Sequence, residues 1–172
     1  MSFQLSLKKK ILAPALTALM VFAAPVAAQN AADIPKVKNG GQCGKQRNGS
    51  DKCDVSGADY SDQTINGWYY HLTAVRANFS RARMGPGSFG DGNLAGADFS
   101  YANIAGLDLS DTNLTGAKFI GARLSNSNLE RANLTNATLK GAVIIDWERY
   151  VLPYVKLCNT TLPDGSKSNR DC

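Results

Sequence analysis

Ala97-Asp98-Phe99-Ser100-Tyr101, Ala102-Asn103-Ile104-Ala105-Gly106, Leu107-Asp108-Leu109-Ser110-Asp111 and Thr112-Asn113-Leu114-Thr115-Gly116 follow one another without a gap. Each group of five carries a large apolar residue at its centre. Working outward, the same beat runs through Phe79, Met84, Phe89, Leu94, Phe99, Ile104, Leu109, Leu114, Phe119, Leu124, Leu129, Leu134, Leu139 and Ile144. Two residues before each, the side chain is small, from Ala77 and Ala82 to Ala137 and Ala142; Leu107 and Thr112 are the exceptions. A helix places apolar residues at a spacing of 3.6 and a strand at 2, so a strict five belongs to neither. It belongs to a solenoid whose unit is one short side of a coil, turning one large and one small side chain inward. The remaining positions are polar or turn-forming: Asp98, Asn103 and Asn113 before the large residue, Ser100, Ser110 and Thr115 after it, and Gly96, Gly106 and Gly116 at the corners.

A spacing of 20 residues sorts the large side chains into like columns. Phe79, Phe99 and Phe119 fall in one, followed by Leu139; Met84, Ile104, Leu124 and Ile144 form another. Phe89, Leu109 and Leu129 make a third, and Leu94, Leu114 and Leu134 a fourth. Leu107 is expected between Gly87 and Ser127, whose small side chains leave it room. Upstream, Ala58-Asp59-Tyr60 and Gln63-Thr64-Ile65 keep the period in another register. The 14 residues from Ile65 to Phe79 are one short of three units, which places a one-residue slip near Trp68-Tyr69-Tyr70.

The units Ala97-Asp98-Phe99, Ala102-Asn103-Ile104 and Ala132-Asn133-Leu134 resemble the A(D/N)LXX signature of the pentapeptide-repeat family over about half of the chain. That resemblance implies an all-β solenoid, a right-handed quadrilateral β-helix with four pentapeptides per coil. The stretch 58–145 then holds about four to five coils, roughly 20 Å tall at ~4.8 Å per coil. A short C-terminal capping helix is expected to follow, with Asp146 as its N-cap and an apolar stripe of Trp147, Tyr150, Val151, Tyr154 and Cys158, shortened at Pro153. The tail Cys158-Asn159-Thr160-Thr161-Leu162-Pro163-Asp164-Gly165 resembles the extension of secreted or thylakoid-lumen members of the family.

The N-terminus reads as a secretion signal over 1–28: Lys8, Lys9 and Lys10, an apolar run from Ile11 to Ala24, and small residues at Val26-Ala27-Ala28. Residues 29–57 are expected to form an arm and a loop, and 146–172 the cap and tail. An even cysteine count in an exported chain argues for disulfides. The repeats separate two pairs, so Cys43–Cys53 and Cys158–Cys172 are the expected local pairings among three possible connectivities. Export implies a periplasm-like, lumenal or extracellular location, with no membrane attachment once the signal is removed.

The formal charge of +5 includes three signal lysines, and the span 58–145 contains seven basic and seven acidic residues. A neutral wall argues against nucleic acid. It also argues against the family's gyrase-protecting members, which resemble duplex DNA; that role and an enzyme with an unrecognised site are the alternatives to a non-enzymatic structural or protein-binding module. Gly85-Pro86-Gly87-Ser88-Phe89-Gly90 matches GxGxxG but neither follows a hydrophobic strand nor opens a helix. His71 has no nucleophile beside it, and no catalytic residue, cofactor or metal site is expected. Asp91 and Asp111 stack with Arg131 in one column. The candidate partner-binding residues are Arg81, Arg83, Tyr101 and Arg123, since Arg and Tyr serve as binding anchors. Self-association beyond a monomer is expected to be weak.

Overall fold

A five-residue unit works as a solenoid side only if the backbone turns at the end of each unit, and most of the described corners share one turn; the corner at Pro86 is the exception in backbone conformation. The N–H of Ala82 donates to the carbonyl of Phe79 at 3.1 Å, that of Ala102 to Phe99 at 3.0 Å and that of Ala122 to Phe119 at 3.1 Å. The third residue of these turns has positive φ: 58° at Arg81, 60° at Tyr101 and 63° at Gly121. That is the type II requirement. The computed structural model describes residues 53–172. The expected signal, the arm to residue 52 and Cys43 lie outside the described residues.

Between turns the chain pairs in parallel with itself. Asn93 bridges Asn113 and Asn113 bridges Asn133, each at a spacing of 20. The large residue donates its N–H to the later coil (Phe99 to Lys118 O, 2.7 Å) while its predecessor donates to the earlier one (Asp98 to Ala77 O, 3.0 Å). The result is a β-helix-like stack with four ladders of outward residues. The first runs Thr64, Arg83, Asn103, Arg123, Val143. The second is Trp68, Ser88, Asp108, Asn128; the third is Asp54, Thr73, Asn93, Asn113, Asn133, Lys156. The fourth is Asp59, Asn78, Asp98, Lys118, Thr138, Thr161. Where two consecutive residues pair, two-residue strands form: β1 (Thr64–Ile65) with β2 (Arg83–Met84), and β3 (Gly87–Ser88) with β4 (Leu107–Asp108).

The outward Asp or Asn has a structural task. Its Oδ1 accepts the N–H two residues on, as in Asp98 to Ser100 (2.9 Å), Asp108 to Ser110 (3.0 Å) and Asn133 to Thr135 (3.1 Å). Where Asp or Asn stands, the side chain thus holds the entry to the corner. Inside, Tyr60, Phe79, Phe99 and Phe119 stack with centroids 5.3, 5.0 and 5.0 Å apart. Each such pair contributes about 0.5–1.5 kcal/mol beyond its burial.

The one-residue slip lies where the spacing placed it. Ile65 pairs with Met84 at a spacing of 19, whereas Trp68 pairs with Ser88 at 20. Positive φ recurs at Gly67 and again at His71, four residues on instead of five. Tyr69 closes the shortened corner by donating its hydroxyl to Asn66 O at 2.8 Å. Leu107 is buried opposite Gly87, in register. Thr112 is buried as well, its hydroxyl donating to Ser110 O at 3.1 Å.

Both ends of the stack extend beyond the expected limits. Asp54 bridges Thr73, and the Val55 N–H donates to Thr73 O at 2.7 Å, so residues 54–57 join the stack upstream of 58. At the other end, the expected single helix from Asp146 to Cys158 does not form. Asp146 has left-handed backbone (φ 51°) and no capping hydrogen bond from its side chain. Trp147–Val151 make one π-helical turn and Leu152–Tyr154 one 3-10 turn, with Pro153 in its first positions. The chain then resumes the ladders: Asn133 bridges Lys156 and Thr138 bridges Thr161, both at a spacing of 23. Val155 and Leu157 are buried on either side of exposed Lys156, the small-out-large pattern again.

The tail ends in an antiparallel pair, β5 (Thr160–Thr161) with β6 (Lys167–Ser168). Cys158 and Cys172 are joined, their Cα atoms 4.9 Å apart. Cys53 is buried and disulfide-bonded. Arg170 ties the tail to the helical turns, donating to the carbonyls of Leu152 and Val155.

Candidate functional site

The first ladder places Arg83 and Arg123 on one wall with Asn103 between them. Both arginines are exposed and neither makes an ion pair among the described residues. They hold the outward position that a corner-holding Asp or Asn fills at Asp98, Asp108, Asn113, Asn128 and Asn133, and that Lys118, Thr138 and Val143 also fill without such a bond. Asn103 still accepts the Ala105 N–H at 3.3 Å, but an arginine offers Gly85 and Ser125 no oxygen. The rows of this wall, 63–66, 82–85, 102–105, 122–125 and 142–145, contain no carboxylate. At the upper end of the wall, Val143 and Ile145 are more than half exposed.

Tyr101 stands at the adjoining corner, 66% exposed. A Cβ placed on Gly121 would lie 2.8 Å from Cδ1 and Cε1 of its ring, so one ring edge rests against the bare backbone of the next coil. Arg81 shares this corner column, but it is engaged. Its Nε and Nη2 donate to Asp62 Oδ1 and Oδ2 at 2.7 and 2.6 Å. Asp62 is held below the ordinary carboxylate range mainly by that hydrogen bond. Three of the four candidate residues therefore offer free side chains, and the fourth is committed to its neighbour. Asp62 lies 19 residues upstream, across the shortened coil, and the 20-residue columns of the sequence do not bring it to Arg81. The Val143 and Ile145 rim was not legible either, because both fall on the ordinary repeat beat.

The other candidates from the sequence resolve into structural parts. Arg131 Nε and Nη2 each donate to Asp111 at 2.6 Å, which keeps the Asp111 carboxyl below its usual range. His71 is an exposed corner residue with φ 57°. Gly87, the middle glycine of the GxGxxG match, faces the backbone across the slip: a Cβ there would lie 2.1 Å from Gly67 O. Its glycine answers a close approach of two coils. Trp68 and Tyr70 stack on the outside with centroids 6.1 Å apart.

A cavity of about 500 Å³ lies between the helical turns and the tail, against Trp147, Leu152, Leu162 and Pro163. No group of His, Cys, Asp and Glu among the described residues is arranged to hold a metal. No helix among them is long and apolar enough to cross a membrane.

Family comparison places these features. The model of pentapeptide repeats matches residues 77–116, 93–131 and 112–144, in eight copies. Residues 77–144 are pentapeptide repeats. Among solved structures, a pentapeptide-repeat protein from the thylakoid lumen of Arabidopsis thaliana is 31% identical, with a TM-score of 0.50. The similarity covers 53% of this chain and 63% of that one, so the chain spans less than two thirds of its relative. A pentapeptide-repeat protein from the cyanobacterium Cyanothece is 21% identical over 51% of this chain and 60% of its own, with a TM-score of 0.29. The plasmid-mediated fluoroquinolone resistance protein QnrB1 is 18% identical over 59% and 68%, with a TM-score of 0.35. No curated protein matches the chain in sequence.

Proposed function

We propose that this pentapeptide-repeat protein is an exported, non-enzymatic module: a right-handed four-sided prism of about four to five coils that docks a protein partner on its first wall. The helical turns and the tail close its upper end. The carrying observation is the pair Arg83 and Arg123. Each takes an outward position that Asp or Asn fills in many coils, and, unlike Lys118, which pairs with Asp98, each stands without an ion pair among the described residues. A net hydrogen bond of about 0.5–1.5 kcal/mol is forgone at each position. Residues that weaken the fold and face solvent are best explained by something they bind.

Export is supported by the signal-like run at Lys8 to Ala28, by the Cys158–Cys172 disulfide and by the likeness to a thylakoid-lumen protein. The balance of seven basic and seven acidic residues over 58–145 gives a duplex-DNA mimic no support. The test is a crosslinking pull-down of the tagged protein from its native compartment, comparing wild type with Arg83→Glu/Arg123→Glu. A partner captured by the wild type and lost in the double variant is expected. The same partner in both samples would remove the docking role of this wall.

A further inference from the structure

We infer that the first wall recognises an extended acidic segment of a partner protein, running along the stack with carboxylates about 10 Å apart and an apolar residue at its upper end. This deepens the docking reading above and rests on it. The spacing follows from the ladder. Arg83 and Arg123 are two coils apart, and neighbouring strands lie about 4.8 Å apart, which gives roughly 10 Å. Three residues of an extended, polyproline-like chain rise about 9.3 Å and return to the same face. Acidic residues at every third position would therefore meet both guanidiniums from one side.

The rest of the wall fits such an occupant. Its rows carry no carboxylate to compete for the arginines. Gly85, Ala105 and Ser125 flank the ladder with short side chains, which keeps the surface open to a backbone lying lengthwise. Asn103, between the arginines, presents an amide whose Oδ1 is already turned to the Ala105 N–H, leaving its NH2 to donate to a passing carbonyl. Tyr101, its ring edge against Gly121, lines one side. Val143 and Ile145 supply the apolar end. Two arginines on a stack of balanced charge suit a few carboxylates, whereas a nucleic-acid backbone calls for a broad basic footprint.

The experiment uses the full chain and a short fluorescein-labelled peptide with glutamate at every third position in a proline–alanine background, ending in valine. Its twin carries glutamine at those positions. Anisotropy titration is expected to show salt-sensitive binding of the glutamate peptide and none of its twin. The affinity should fall about tenfold or more in Arg83→Glu/Arg123→Glu. Arg76→Glu/Lys156→Glu makes the same charge change away from this wall and should leave binding within about twofold. Thermal unfolding of each variant establishes that it folds.

Failure of the glutamate peptide to bind up to millimolar concentration would overturn the inference, as would equal loss in both double variants. So would a single-stranded oligonucleotide that binds the wall more tightly than the peptide. A native partner lost in the pull-down while the peptide fails would leave the docking reading standing and reject only its acidic chemistry.

Discussion

The third and first ladders rise from the same coils and are put to different use. In the third, Asn93, Asn113 and Asn133 each turn an oxygen to the amide two residues on, and the Asn113 NH2 donates to Asn93 Oδ1 at 3.1 Å. Thr115 and Thr135 add their hydroxyls to the same oxygens at 2.7 Å. Every outward side chain in that run is occupied with the fold. In the first ladder only Asn103 does this work, and the arginines on either side of it do none. In a repeat protein the fold states its own requirement at each position many times over. A departure from that requirement is therefore easier to recognise as functional than it would be in an irregular protein.

The two ladders share one interior, so the largest expected effect is indifferent to which is observed. Phe99→Ala removes the middle ring from a stack with Phe79 and Phe119 and should cost about 3–5 kcal/mol in denaturant unfolding. Next comes conversion of one ladder into the other. Asn113→Arg with Asn133→Arg should cost roughly 2 kcal/mol together, about 1 for each lost corner-holding bond. A change within about 0.3 kcal/mol of zero would mean that the Asx bonds do not distinguish the ladders.

The reverse swap is smaller and of opposite sign. Arg83→Asn and Arg123→Asn should each stabilise by about 0.5–1 kcal/mol while weakening partner capture, a trade expected where a surface is kept for binding. Stabilisation with capture intact would show that the arginines are merely tolerated.

The smallest effect is electrostatic and sits at the corners. Asp62 and Asp111 are held below their usual pKa by Arg81 and Arg131. A depressed carboxyl pKa contributes stability that is fully present above the unfolded value of about 3.9 and is lost as pH falls through the folded value. Both pairs are exposed, so the contribution is small. A Tm profile between neutral pH and pH 2 should fall slightly less steeply in Asp111→Asn than in the wild type.

How much of this was legible depended on whether the relevant signal repeats. The period, the 20-residue columns, the slip before Tyr70 and the space for Leu107 all follow from counting, because each position has an equivalent a coil away. The upper end has no such equivalents. Trp147 to Cys158 carries apolar residues at helical spacing, and that spacing is misleading here. Pro153 and the left-handed Asp146 break the run into two short turns, and Val155-Lys156-Leu157 returns to the ladder. The alternation of buried 155 and 157 around exposed 156 was a strand signal three residues long, too short to compete with a stripe spanning three helical turns. Of the candidate wall, the residue types and their column were legible. The engagement of Arg81 by Asp62 needed the corner geometry, because it depends on a coil one residue short.

That shortened coil bears on a problem peculiar to repetitive chains. Any pentapeptide could sit beside any other, so a stack displaced by five residues would satisfy the turns and most of the backbone hydrogen bonds equally well. It would, however, move every ring of the Tyr60, Phe79, Phe99 and Phe119 column onto an aliphatic neighbour. It would also carry Leu107 away from Gly87, and Gly87 away from the close carbonyl of Gly67. A four-residue step between corners, at Gly67 and His71, occurs once among the described residues. It therefore acts as a phase mark: the stack can close around it in one alignment, and the coils that follow inherit their neighbours from it.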